Sequence, residues 1–181
     1  MEKNSGTKYK IAIVGTESTG KSTLTEALAL HFNEPWVKEV AREYVSNLKR
    51  PYVLKDVEIM AQLQLESEAM GIKNAQKFLF CDTTLLVHKI WADFVFNEIP
   101  PEIVNNYHPQ NYHLHLLCNI DLPWTPDPLR EHPNHREELF FRYENELKLS
   151  GANYYVVNGR ENQRVKNAIN FIKRSLPDHK F

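Results

Sequence analysis

The sequence predicts an α/β domain: a parallel sheet of about five strands covered by helices on both faces. Three observations predict it. Short apolar runs alternate with longer amphipathic segments along the whole chain, the pattern of parallel strands joined by crossover helices. The first run, Tyr9 to Val14, leads into Gly15-Thr16-Glu17-Ser18-Thr19-Gly20-Lys21-Ser22, which fits the phosphate-cradling pattern G-x-x-x-x-G-K-[ST] of the P-loop. The later runs also end in polar or charged residues, at the carboxyl edge where open parallel sheets bind ligands.

Each element has its own signal. Tyr9 to Val14 is apolar with a β-branched core, so it reads as a strand. Ser22 to Leu30 reads as a helix with Leu24, Ala27 and Leu28 on one face. Loop N–H groups and the positive end of that helix converge on an anion. Lys21 reaches the β/γ-phosphates and the Ser22 hydroxyl ligates Mg²⁺. Gly15, Thr16, Glu17, Ser18, Thr19, Gly20, Lys21, Ser22 and Thr23 are therefore the candidate nucleotide-binding residues. Trp36 to Val40 reads as a second strand, followed by a helix through Arg42 and Tyr44 to about Leu48, before Pro51. Val57 to Ile72 carries Ile59, Leu63 and Met70 at helical spacing. Phe78 to Asp82 is a continuous apolar run ending in a carboxylate, typical of a buried parallel strand. Thr83 to Asn97 is a helix with Leu86, Ile90, Trp91 and Phe94 as its apolar face, which makes Trp91 a core residue. Tyr112 to Cys118 is a strand, Asn134 to Lys148 a charged helix, Tyr154 to Val157 the last strand and Glu161 to Ser175 the closing helix.

With 181 residues and 42% of them hydrophobic, the chain predicts one domain with a sizeable core. Residues 1–8 and 177–181 read as tails. A net charge of −1 and no long basic run argue against a nucleic-acid surface. Phe78 to Cys81 is too short to span a bilayer, and the polar N-terminus lacks the apolar core of a signal peptide. The partner expected is a small molecule, not a nucleic acid or a membrane. Cys81 and Cys118 each lie in an apolar run and read as buried thiols, which fits a reducing cytoplasm. The oligomeric state leaves no trace in the sequence.

The remaining chemistry falls at the predicted strand ends. Asp82 follows the third strand, where an aspartate orients Mg²⁺; the alternative is a cap for the next helix. Glu39 follows the second strand and faces the acceptor side of the P-loop, where a carboxylate takes a hydroxyl proton; the alternative is a solvated helix start. Arg42 meets a phosphate or pairs with a carboxylate. Segment 121–136 holds Pro123, Pro126, Pro128 and Pro133 with Trp124, Asp127, Arg130 and Arg136. It reads as a lid whose arginines stabilise a transferring phosphoryl group, or else as a surface loop. Trp124 is placed to stack on a flat ligand. His113 and His115 share a strand face but lack a third ligand, so they read as packing residues. A guanine-reading N-K-x-D is absent, and Asp82-Thr83-Thr84-Leu85 lacks the glycine of the D-x-x-G switch element. A GTP switch is therefore disfavoured, while a small-molecule kinase and a regulatory ATPase both stay open.

The P-loop, Glu39-Val40-Ala41-Arg42-Glu43-Tyr44, Cys81-Asp82-Thr83 and Pro123-Trp124-Thr125-Pro126-Asp127-Pro128-Leu129-Arg130 together resemble the ribosylnicotinamide kinase domain of NadR proteins. The resemblance spans about residues 10–175. It implies a P-loop NTPase fold and transfer of a phosphoryl group from ATP, with Mg²⁺, to the 5′-hydroxyl of nicotinamide riboside. By position it implies that Lys21 and Ser22 bind ATP and Mg²⁺, and that Glu39, Arg42 and Asp82 line the acceptor site. It also implies that Asp127, Arg130 and Arg136 belong to a lid, with Asp127 among the acceptor contacts, and that Asn158-Gly159-Arg160 lies near the adenine. The chain departs from the family at Lys38, where a tryptophan often precedes the glutamate; Trp36 lies two residues earlier. Trp36 or Trp124 is then expected to stack on the nicotinamide ring, with Lys38 pointing away from it.

Overall fold

The computed structural model describes residues 7–176. The expected C-terminal tail, 177–181, and most of the N-terminal one lie outside the described residues. Lys8, expected to be frayed, is anchored: its Nζ donates to the Ile72 and Lys73 carbonyls at 3.0 and 3.1 Å.

Five parallel strands form one sheet: β1 (Tyr9–Val14), β2 (Trp36–Val37), β3 (Phe78–Asp82), β4 (Leu114–Cys118) and β5 (Tyr154–Val157), in the order β2-β3-β1-β4-β5. The central strands are apolar on both faces because both faces are covered, and β3 and β4 are buried throughout. One face packs against α1 (Lys21–Phe32) and α7 (Glu161–Ser175) through Leu24, Leu28, Ala168 and Ile172. The other is covered by α3 (Leu54–Asn74), α4 (Leu85–Phe96) and α6 (Arg136–Leu149), with α5 (Pro101–Asn106) packed outside on α3 and α4. The short helix α2 (Val40–Asn47) buries no residue fully. Successive crossovers leave β1 in opposite directions, so the loop after β1 lies at the topological switch point, where such sheets bind ligands.

The second strand is shorter than expected. It stops at Val37, and Val40 opens α2, so Glu39 sits at a helix N-terminus rather than just past a strand end. Helix α4 begins at Leu85, not Thr83, because Thr83 takes a left-handed conformation, φ 74°. Helix α5 has no counterpart among the expected elements. In α3 the apolar residues picked out by spacing face outward: Ile59, Leu63 and Met70 are 37, 36 and 60% exposed. The buried face of α3 instead carries Val57, Met60 and Ala61 together with Asp56, Gln64 and Glu68. Polar side chains with buried partners hide that face from a hydrophobicity pattern.

Candidate active site

The glycine loop has the shape that its composition demands. Gly15 and Gly20 adopt φ 138° and 74°, conformations open to glycine and costly for other residues. A Cβ on Gly15 would stand 3.0 Å from the Cys118 carbonyl oxygen. Thr19 Oγ1 and Lys21 Nζ both donate to the Thr16 carbonyl, at 2.7 and 3.0 Å. Lys21 thus curls back over the loop onto a neutral acceptor, which an anion would outcompete. Residues 15–23 line one wall of a cleft of about 220 Å³. Glu39, Arg42, Tyr52, His88 and Trp91 also line it, as do Arg130 and Glu131 from segment 121–136.

Beneath the loop lies a residue that the sequence patterns do not single out. Arg164 is 4% exposed. Its Nη2 donates to the Thr19 and Asn119 carbonyls at 2.8 and 3.0 Å, and its Nη1 to Asp121 Oδ1 and the Gly159 carbonyl at 2.6 and 2.8 Å. One guanidinium ties together the P-loop, the end of β4 and the turn before α7. Arg164 shares the buried stripe of Ala168 and Ile172 at i+4 and i+8, and a charge on such a stripe is the one signal of it in the sequence. Asn158, Gly159 and Arg160 do not line the cleft. Asn158 Oδ1 accepts from Asn119 Nδ2 at 2.6 Å, the Gly159 N–H donates to Asp121 Oδ2 at 2.6 Å, and Arg160 precedes α7.

Segment 121–135 is irregular apart from one 3₁₀ turn at Pro133–His135, and it is fastened to the P-loop. Glu17 accepts the backbone N–H groups of Glu131 and His132, each at 3.2 Å. Ser18 Oγ accepts the Thr125 N–H at 2.9 Å, and Arg136 Nη2 donates to the Ser18 and Leu122 carbonyls at 3.1 and 3.0 Å. Arg130 reaches Ser18 Oγ at 3.5 Å and bonds the Thr125 carbonyl. Glu17, expected among the nucleotide ligands, lines the cleft and also anchors this segment.

On the acceptor side, Glu39 occupies the N-cap of α2 without bonding its own helix. The Val40 N–H is instead satisfied by Gln64 Oε1 at 3.2 Å, and Gln64 Nε2 donates to the Thr83 carbonyl at 3.0 Å. Thr83 is β-branched in a left-handed conformation, a strain of about 1–3 kcal/mol that only a well-braced corner sustains. Its own N–H bonds the Ile13 carbonyl at 3.0 Å.

Asp82 is 1% exposed and does not itself line the cleft. Burial raises its pKa to about 6, opposed by the Lys21 charge and a hydrogen bond from Ser22, with Glu39 pushing the other way. Its Oδ1 is buried without a hydrogen-bond partner. A half-satisfied carboxylate beside a serine hydroxyl fits Mg²⁺, which takes one or two protein oxygens and keeps several waters. Among the described residues no cluster of three His, Cys, Asp or Glu forms a further metal site. Both cysteines are buried and free.

The aromatic expectations need correction. Val37 faces the cleft side of the sheet, so Trp36 must face the other, where it packs with the α1 and α7 core. Lys38, expected to point away from the nicotinamide ring, does not line the cleft either; its Nζ lies 5.6 Å from the centre of the Trp36 ring. Trp124 also lies outside the cleft, with Arg136 Cζ 5.9 Å from its ring centre. The cleft's aromatic wall is Tyr52 with Trp91, which packs against the core as expected and lines the cleft as well. Trp91 Nε1 donates to the Tyr52 hydroxyl at 3.1 Å, and that hydroxyl donates to Glu131 Oε2 at 2.8 Å. Burial and the Glu131 carboxylate hold the Tyr52 phenol well above its usual range. Asp127, expected at the acceptor, is outside the cleft too. It takes the Leu129 N–H and pairs with Arg42 at 2.9 Å, and both hold its carboxyl below the usual range.

A family model described as AAA domain matches residues 10–164. The trifunctional NAD biosynthesis/regulator protein NadR of Escherichia coli (strain K12) is 29% identical over 124 residues, covering 66% of this chain. The match spans 30% of that relative's length, and the same holds for NadR of Salmonella typhimurium. Among solved structures, a NadR protein in complex with NR aligns with TM-score 0.73 at 22% identity, covering 93% of this chain and 51% of that one. Deoxyadenosine kinase from M. mycoides aligns with TM-score 0.60 at 22% identity over 94% of this chain and 100% of its own. The fold is the P-loop kinase fold that these proteins share.

Proposed function

The chain belongs to the AAA domain family, and on that premise we propose that it is an ATP- and Mg²⁺-dependent kinase acting on the 5′-hydroxyl of nicotinamide riboside. The observation that carries this reading is the single cleft, in which the P-loop, a carboxylate at Glu39 and an aromatic wall of Tyr52 and Trp91 face one space. A phosphoryl donor and a flat acceptor would meet there.

In this reading the loop N–H groups and Lys21 hold the triphosphate, with Lys21 released from the Thr16 carbonyl. Ser22 and Asp82 would hold Mg²⁺, which spreads the charge that develops on the transferring oxygens. Glu39 orients the acceptor hydroxyl and takes its proton. Arg130 neutralises the moving phosphoryl group, and segment 121–136 acts as the lid that excludes water. A cationic pyridinium is favoured by indole and phenol faces, at about 0.5–2 kcal/mol, and Glu131 adds a carboxylate beside them. The NadR relatives in NAD biosynthesis and the NadR structure with NR support nicotinamide riboside as the acceptor. Deoxyadenosine kinase, matched along its whole length, makes other nucleosides the comparison set.

The test is incubation with ATP, Mg²⁺ and a nucleoside panel, read by mass. Nicotinamide mononucleotide is the expected product. Turnover of another nucleoside alone would keep the kinase and replace its substrate. Absence of any nucleoside turnover by folded protein would favour the regulatory ATPase.

A further inference from the structure

The N-terminus of α2 and the corner after β3 are joined by one side chain from a third element. Gln64, on α3, is fully buried. Its amide orientation follows from its partners: the Val40 N–H can only donate and the Thr83 carbonyl can only accept, so Oε1 faces one and Nε2 the other. Each partner is adjacent in sequence to one of the two carboxylates assigned to the reaction, Glu39 and Asp82. We propose that Gln64 is a positioning residue, the strut that fixes where Glu39 stands relative to Asp82. The proposal rests on the kinase reading for its catalytic consequence, and on geometry alone for the strut.

Two further observations bear on it. An N-cap side chain commonly serves the first turn of its helix, but Glu39 makes no such bond. Gln64 serves the Val40 N–H in its place, so the Glu39 carboxylate is left to the cleft, whose wall it forms. Thr83 holds a left-handed conformation next to Asp82, and such conformations persist only where surrounding contacts over-determine them. Its N–H is tied to β1 and its carbonyl to Gln64. The two carboxylates belong to different elements, and α2 has no fully buried residue to fix it by packing. A directional bond from α3 adds to the partial packing of Ala41, Tyr44 and Val45 and fixes the position of the helix start. No other common side chain does both tasks at this length. Glutamate lacks the donor in its ionised form, asparagine is one methylene too short, and leucine has neither group.

The experiment compares Gln64→Leu, Gln64→Asn and Gln64→Glu with the full chain. Gln62→Leu serves as the control: it lies on the same helix, is exposed and bonds only Glu66. Amide exchange of Val40 should accelerate in the leucine and asparagine variants, and crystal structures should show Glu39 displaced from Asp82. At a temperature well below each variant's melting point, kcat should fall by about 10–10²-fold, the scale of a misplaced catalytic group. The KM for ATP should stay within about twofold, because the P-loop is untouched. Gln62→Leu should change none of these. Glutamate keeps the acceptor for Val40 and serves as the milder variant if leucine fails to fold. Unchanged Val40 exchange and an unmoved Glu39 in a folded variant would overturn the strut. A displaced Glu39 with kcat unchanged would overturn its catalytic consequence. If the parent protein turns over no nucleoside, the kinase reading fails, while exchange and the Glu39 displacement still decide the strut.

Discussion

Arg42 Nη1 and Asp127 Oδ2 stand 2.9 Å apart, joining helix α2, which follows Glu39, to the segment that carries Arg130. Both belong to motifs expected to contact ligand, yet here they contact each other. Arg42 is about half exposed, so solvent screens the pair and its net stability is less than about 1 kcal/mol. Asp127→Asn should leave the melting temperature nearly unchanged. On the kinase reading, in which the pair links the acceptor side to the lid, the substitution should instead raise the acceptor KM several-fold. Equal KM values for the variant and the parent would reduce the pair to a surface contact.

Lys21→Ala removes the cation that the P-loop holds against the Thr16 carbonyl. On the kinase reading, turnover should fall by about 10²-fold or more, the scale of losing one electrostatic stabiliser. Steady-state rates on protein shown to be folded by circular dichroism provide the check. Near-normal turnover would move the reaction centre away from the loop.

The two carboxylates should fail in different ways. Asp82 is buried beside Lys21 and Ser22 with one oxygen unpartnered, while Glu39 lines the open cleft. Asp82→Asn should therefore weaken metal use, and added Mg²⁺ should recover part of the rate. Glu39→Gln should lower kcat with no such recovery, and the effect should be modest if the transition state is loose. Rates titrated against Mg²⁺ for both variants make the comparison. A shared response would mean that the roles are not divided in this way.

The features legible in the amino-acid sequence are those written in short, local patterns. The P-loop needs glycines at fixed offsets between a strand and a helix, and all of that lies in one window of sequence. The buried strands β1, β3 and β4 announce themselves as short, largely apolar runs, interrupted only by Lys10 in β1 and His115 in β4 and ended by Asp82 in β3. Side-chain direction is harder to read. Trp36 and Trp124 are aromatic residues near strand ends, but β2 alternates its faces and puts Trp36 on the far side of the sheet. Trp91 reads as a core residue and does pack against the core, but its second role, as part of the cleft wall, comes from the tertiary arrangement and not from the pattern of its helix. Gln64 and Arg164 escape notice for a different reason. Each is a polar side chain whose value lies in partners about twenty to 145 residues away, and separations of that kind leave no periodicity to read.

The last expectation concerns acid. His115 is fully buried on β4, with neither ring nitrogen hydrogen-bonded, and its ring centre lies 5.2 Å from that of Tyr112. Burial lowers its pKa to about 4; the Asn153 carbonyl opposes the change and the nearby Lys10 charge adds to it. An unfolded histidine titrates near about 6.5, so the fold favours the neutral ring. The stability tied to this group is fully present above about pH 6.5. It is lost as pH falls through that value towards about 4, where the folded protein itself takes up the proton. The interval corresponds to about 3 kcal/mol, as an order of magnitude. Carboxylates such as Asp56, held low by Arg50, also lose stability in acid, but at lower pH. His115→Leu cannot take up the proton, and its isolated effect is the difference between two denaturation curves. Urea unfolding from pH 7.5 to 4.5 should show the parent losing stability faster than the variant over this window. Parallel curves would mean that the ring is reached by water or finds a partner in the folded protein.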